Sequence, residues 1–413
     1  IVQVVWHGVG SVLCLRAVIR LIRQKTSGLC PRKGRRESMR QFILWVCGGS
    51  TIDRRYLGVL SLIAVVTIGL PLLGLGPLAN TPLGLDGFQI NMVGQVMAFA
   101  LLAMAHDLVW GYAGYLSLGH GLFFAVGGYL IGMHMIKLNY VGETGVPTFL
   151  DYMGLTEFPA YWSGFEYFGY AFLAVIVLSA LVSFLIGFLA FRSRVVGVYF
   201  SILSQAFVYV VMLVMSRNDT GFGGNNGIAD FQTLFGFSLG SIEFRVAIAT
   251  ISALILMIAL IGLRRLTTGS LGKLLVGIRD DEDRLQVLGY ETLWVKTGIW
   301  CLSAMLAAIA GLLYVPQIQV ASPQLLSPMF SIEIAVWVAI GGRGYLYGAI
   351  IGAILVNVVK FWLTRFMPEL WPFILTGSVL FVVVVLRNGL MDPGPLFTRA
   401  KFLMSWRAKK EKV

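Results

Sequence analysis

The sequence predicts an all-α, polytopic membrane helix bundle, and three observations carry that expectation. Of 413 residues, 57% are hydrophobic and only 13% charged, with a mean hydropathy of +0.81. A water-soluble chain of this size would interrupt its apolar runs with charged faces. Here nearly uncharged stretches of roughly 20 residues, the length that crosses hydrocarbon, recur along the chain. Basic residues collect in alternate connections between them. A backbone in lipid must satisfy its own hydrogen bonds as helices or as a closed barrel. These segments are rich in Leu, Ala, Val, Ile and Gly and lack the alternation that barrel strands require.

Residues 1–38 carry Arg16, Arg20, Arg23, Lys25, Arg32, Lys33, Arg35 and Arg36 ahead of Met39, so Met39 is the expected start. The other reading is a basic cytoplasmic leader lying on anionic lipid. A signal peptide fits poorly, because the apolar stretch precedes the basic cluster. Residues 39–55 are expected to be a cytoplasmic N-terminal segment, 56–386 the transmembrane domain and 387–413 a basic cytoplasmic tail.

About ten hydrophobic segments are expected within that domain, near 56–75, 89–109, 116–136, 167–190, 196–215, 246–263, 298–318, 331–341, 345–362 and 371–386. With Arg54 and Arg55 inside, the positive-inside rule demands bases in every second connection. Arg192 and Arg194 meet it, as do Arg264, Arg265, Lys273, Arg279, Arg284 and Lys296, then Arg343, then the tail from Arg387 to Lys412. The intervening connections differ: 76–88 holds only Asp86, 138–166 holds four acids and no base, and 319–330 holds no charge. Both termini are therefore expected in the cytoplasm. The exception is 216–245, which carries Arg217 and Arg245 on the outer side.

The segment 331–341 is too brief to span and reads as a half-helix or shielded turn. The Gly-rich stretches 114–132 and 344–355 both leave short cytoplasmic turns. Close helix packing explains them, with a repeat remnant as the second reading.

No catalytic site is legible. There are four His, no HExxH, no GxSxG and no paired intramembrane Asp of protease type. The stretch 267–275, TTGSLGKLL, lacks the Gly of a phosphate loop five residues before Gly272 and has Leu274 where Ser or Thr binds magnesium. The chain is expected to bind no cofactor of its own. Cys14, Cys30, Cys47 and Cys301 are scattered, which indicates neither a disulfide framework nor a metal site. The net charge of +12 sits in connections and termini rather than on one amphipathic face, which points to lipid and topology and away from nucleic acid. Asn218, Asp219 and Thr220 match a glycosylation triplet.

The connection 264–297 reads as a short amphipathic helix. Leu271, Leu274, Leu275 and Ile278 recur at helical spacing, Asp280 to Arg284 are polar, and Gly289 offers a stop. A polar helix held between two spans suits a cytoplasmic partner; an ordinary solvated loop is the plain alternative.

The stretch from Ser270 to Tyr314, SLGKLLVGIRDDEDRLQVLGYETLWVKTGIWCLSAMLAAIAGLLY, resembles the coupling loop and following helix of the permeases for branched-chain amino acids and urea. DLVWGYAGYLSLGHGLFFAVGGY at 107–129, FRSRVVGVYFSILSQAF at 191–207 and IGGRGYLYGAIIGA at 340–353 extend the resemblance over most of the chain after about residue 90. RNDTGFGGNNGI, YVPQIQ, SPMFSIEIAVWVAIGGRG and FMPELW are similar to the urea branch, in its second membrane-subunit type.

The resemblance implies a bacterial inner-membrane subunit of an ATP-binding cassette importer. It implies a second related permease subunit, two ATPase subunits that use the ATP, and a periplasmic solute-binding protein. Gly272, Gly277, Ile278, Arg279, Asp280, Arg284 and Gly289 then belong to the loop that touches an ATPase. Urea is neutral and rich in hydrogen-bonding groups, so its path calls for amides, hydroxyls and backbone groups. The candidates are Gln95, Ser117, His120, Gln205, Asn225, Asn226 and Glu333, each weighed against interhelical bonding or turn formation. Glu333 lies between Ile332 and Ile334 and is costly in a membrane unless hydrated or paired, with Lys360 as the candidate base. His106 and Asp107 are expected at the membrane interface. A branched-chain amino acid permease would need sites for an α-carboxylate and an ammonium. A passive urea channel would need no ATPase and would leave 264–297 without a role.

Overall fold

A computed structural model describes residues 54–391 apart from 76–85, 140–145, 152, 154–156, 196, 230, 372, 375 and 378–388. The leader, the Met39 start, the tail and most of the segments 39–55 and 371–386 lie outside the described residues.

Among the described residues, eight helices are long and apolar enough to cross a membrane. They are α1 (Arg54–Gly74), α2 (Gly87–Asp107), α3 (His120–Asn139), α4 (Phe168–Arg192), α5 (Val198–Met215), α6 (Ile242–Thr268), α8 (Thr292–Ile318) and α10 (Leu346–Phe366). Helix α7 (Ser270–Val287) joins α6 to α8, and the shorter α9 (Pro328–Gly341) precedes α10. The segments expected at 246–263 and 298–318 are longer than hydropathy indicates, because the helices continue past the apolar stretch into polar ends. Conversely, 116–136 begins as helix only at His120; residues 113–119 form a non-helical link, preceded by a π-helical turn at Leu108–Tyr112.

Helix α2 is the central post, buried without a break from Val96 to Asp107. It packs on α6, α8 and α10, while α3 and α4 cover the other side of α8. Helices α1, α4 and α5 instead leave Leu62, Val65, Leu173, Leu181, Ile202 and Val210 open, as apolar faces against lipid would be. Backbone closeness locks α3 to α8: a Cβ on Gly127 would fall on Ala308 O, and one on Gly311 would fall on Phe124 O.

Helix α9 begins inside the bundle. After α8 the chain turns back through a 3₁₀ turn at Pro323–Leu326, and a Cβ on Gly121, the second residue of α3, would lie 3.0 Å from Leu325 O and 3.3 Å from Ser331 Oγ. Phe330 then packs against Phe99 and Phe124, deep in α2 and α3. Ser327 caps α9 by accepting from Phe330 N, and Pro328 occupies its first turn. Its 14 residues rise about 21 Å at ~1.5 Å each, short of a ~30 Å core, so it is the half-helix expected from 331–341. It stops at Gly342, whose φ of 116° only glycine adopts without strain.

Between α5 and α6 the chain forms a Gly-rich loop with a two-stranded hairpin, β1 (Thr233–Leu234) and β2 (Phe237–Ser238). Ile228 bridges to Ala321, which ties this loop to the chain leaving α8. Arg217 is neutralised locally by Asp219, at 2.5 Å, which weakens it as an exception to the charge rule.

Candidate functional site

Helix α7 lies across one end of the bundle. Leu275 and Ile278 are buried and Leu271 and Leu274 half-buried, so the apolar spacing docks the helix as expected. The junction with α6 is tight, since a Cβ on Gly272 would fall on Thr267 O. The helix is not straight. Asp281 has φ −160° and ψ 90°, a break that folds the second half back until Leu285 Cδ1 lies 3.0 Å from where a Cβ on Gly277 would be. Gly289, at φ 89°, then turns the chain towards α8.

Glu282 follows the break and gathers three elements. It accepts from Lys296 Nζ at 2.5 Å and Thr292 Oγ1 at 2.7 Å, both on α8, and from Tyr115 Oη at 2.9 Å in the 113–119 link. The Lys296 side chain is 4% exposed and its ammonium faces the Tyr115 and Phe191 rings. Burial alone would raise the Glu282 pKa; the hydrogen bonds from Lys296 and Thr292 and the charge of Lys296 overcome it and hold the carboxyl below its ordinary value. Burial, then the Glu282 charge, pushes the Tyr115 phenol up. Arg279 donates to Gly111 O at 2.9 Å and to Asp280 at 3.1 Å, while Arg284 pairs with Asp281 at 3.5 Å in the open.

The solute-path candidates do not form one cluster. His120 sits at the start of α3, its Nδ1 3.2 Å from His106 Nδ1 and its Nε2 2.7 Å from Ser303 Oγ, which bonds Ala105 O. Ser117 Oγ accepts from Gly119 N, and Ser201 and Ser204 of α5 hold the same link at Leu116 O and Leu118 N. Gln205, beside Ser204, keeps both amide atoms buried without a hydrogen-bond partner among the described residues. Gln95 is half-buried on α2, and Asn225 and Asn226 are exposed in a 3₁₀ turn of the Gly-rich loop at the far end. Glu333, in the second turn of α9, is 3% exposed and bonded by Lys360 Nζ at 2.7 and 2.9 Å. His106 and Asp107, expected at the interface, are instead fully buried, because α2 continues past them into the π-turn and the turn before α10 covers them.

A family model described as "Branched-chain amino acid transport system / permease component" matches residues 89–385. The chain belongs to this permease family. It is similar to the high-affinity branched-chain amino acid transport system permease protein LivM of Salmonella typhimurium, 24% identical over 396 residues, which cover 90% of this chain and 82% of the relative. The Escherichia coli LivM is 24% identical over 373 residues, 85% of this chain and 78% of the relative. No solved structure matches significantly.

This permease is thus an integral membrane transport component and not an enzyme. Its α7 carries groups that spacing alone did not single out. Glu282 and Lys296 are 14 positions apart and Tyr115 is 167 from Glu282, so only the fold joins them. The one local signal is a lysine at the start of an apolar span, which needs a counter-charge.

Proposed function

We propose that this permease is a membrane-spanning subunit of an ATP-driven importer, moved through α7 by a separate ATPase and passing urea by alternating access. The observation that carries the reading is the seat of α7. A helix with a polar outer face is bonded through Glu282 to α8 and to the link before α3, so a push on it reaches the bundle. ATP is used by partner subunits; a second permease subunit, two ATPases and a periplasmic binding protein complete the assembly, in a bacterial inner membrane with both termini cytoplasmic.

Urea is supported by the stretches 217–228, 314–319, 327–344 and 366–371 and by the charge balance of α9. Glu333 is matched by Lys360 and so offers no unpaired carboxylate to an ammonium. The LivM relatives favour a second substrate, a branched-chain amino acid, whose carboxylate would suit the N-terminus of a half-helix. Vesicles holding the whole assembly discriminate: ATP-dependent uptake of labelled urea that excess leucine leaves unchanged is expected. Uptake of labelled leucine blocked by cold leucine but not by urea would assign the amino acid. Urea uptake that persists after ATP depletion would mark a passive channel.

A further inference from the structure

Asp107 and Arg279 each hold one of two adjoining glycines, Gly344 and Gly111, without bonding one another. Asp107 ends α2, and its Oδ1 accepts from Gly344 N at 2.8 Å, while its Oδ2 is buried with no hydrogen-bond partner among the described residues. Arg279 of α7 donates to Gly111 O at 2.9 Å. A Cβ on Gly111 would strike both Asp107 Oδ1 and Gly344 N; one on Gly344 would lie 3.4 Å from Gly111 O and 3.8 Å from Arg279 Nη1. Carboxylate and guanidinium thus flank a joint where the end of α2, the α9–α10 turn and α7 converge.

Two further groups lie within electrostatic reach of Asp107. Arg343 acts on its charge but lies over the Trp110 ring, 5.0 Å from the centroid. The Tyr112 hydroxyl, which also feels Asp107, is engaged with Thr267 and with the backbone of Leu346. A buried carboxyl oxygen without a partner is costly, and a charged donor at hand is one arrangement that removes the cost. The exposed Asp280 pair holds Arg279 weakly, so the bond to Gly111 O is the one an exchange must break.

We propose that Arg279 and Asp107 form an ion pair in a second conformation, and that the exchange of Arg279 from Gly111 O to Asp107 Oδ2 carries movement of α7 into the Gly342–Tyr345 turn and so into α9. The inference rests on the reading of α7 as the element an ATPase moves. Both residues are positioning residues: neither need touch the solute.

Asp107→Asn separates this role from a static one, since an amide oxygen still accepts from Gly344 N and every contact of the present conformation survives. The full assembly is reconstituted with wild-type chain, Asp107→Asn, Arg279→Gln and the double variant. ATP hydrolysis and uptake of labelled urea and labelled leucine are then measured on each. Asp107→Asn, outside the loop that meets the ATPase, is expected to co-purify with it and hydrolyse ATP while uptake falls at least tenfold; Arg279→Gln is expected to lose uptake at least as far, and the double variant to be no worse than the poorer single. Wild-type uptake in Asp107→Asn, or losses that multiply in the double variant, would overturn the ion pair. Should Arg279→Gln fail to accumulate, Arg279→Lys keeps the charge and is expected within threefold of wild type; a tenfold loss there also overturns it. If the wild-type assembly takes up neither solute with ATP, the coupling reading itself fails and takes the ion pair with it.

Discussion

At the level of single residues, two acid–base pairs dominate, and they predict different things. Glu333 and Lys360 join α9 to α10 where water is scarce, so removing one charge strands the other. Breaking such a pair costs about 3–5 kcal/mol. Glu333→Gln should therefore lower the thermal unfolding midpoint in detergent, and Glu333→Gln with Lys360→Met should recover most of the loss. Unchanged transport in whatever Glu333→Gln protein folds would mark a structural role; transport lost at full stability would mark a path residue. Glu282 makes a pH prediction. Its folded pKa lies below its unfolded one, so its stabilisation is complete above the ordinary carboxylate range, about 4, and is lost as pH falls through the folded value. Backbone hydrogen-exchange protection across 270–290, taken relative to the intrinsic rate at each pH, should hold from neutral pH into mild acid and fall below that range; protection unchanged down to pH 2 would contradict it. The carboxylate of Glu333 was visible in the sequence because an acid among isoleucines calls for a partner. Glu282 was not, because it stands in a run of acids where nothing marks one as buried.

At the level of elements, the apolar spacing of α7 and the brevity of α9 could be read directly, since 3.6-residue periodicity and span length are local properties. The break at Asp281 could not. Asp280 to Asp283 suit a solvated helix, and what ends the first half is the pull of Glu282 towards Lys296, a contact across space. Gly277→Pro places proline in the first, docked half, where it costs about 3 kcal/mol. Uptake should vanish while membrane insertion and yield persist; normal uptake would refute a coupling role for α7. The α3–α8 crossing predicts a harsher outcome. Gly127→Val drives a side chain onto Ala308 O, so the protein should fail to accumulate in membranes, whereas Gly262→Val, at a position with open space around it, should accumulate normally.

Across the whole molecule, hydropathy and charge alternation were enough to anticipate a helical bundle, because burial in lipid leaves few ways to satisfy a backbone. The positions of the solute-path candidates were not anticipated as a set. Ser117 and His120 lie in the 113–119 link and at the start of α3, Gln205 follows the Ser204 that bonds this link, and Asn225 and Asn226 lie apart in the Gly-rich loop, since side chains on different elements share no sequence pattern. Orientation is open to direct measurement: single cysteines at Lys273 and Asn225 should react with a membrane-impermeant thiol reagent from opposite faces of the bilayer, and labelling of both from one face would invert or break the topology.

Helix α8 runs unbroken over 27 residues from the carboxylate that holds α7 to the chain that bridges Ile228. A stiff rod fixed at both ends transmits in either direction, and linkage makes the coupling equal both ways. If α7 is the element an ATPase moves, whatever docks on the Gly-rich loop would be felt at that end, and an empty receptor and a loaded one would need to differ only in how they bear on that rod for the engine to idle or fire.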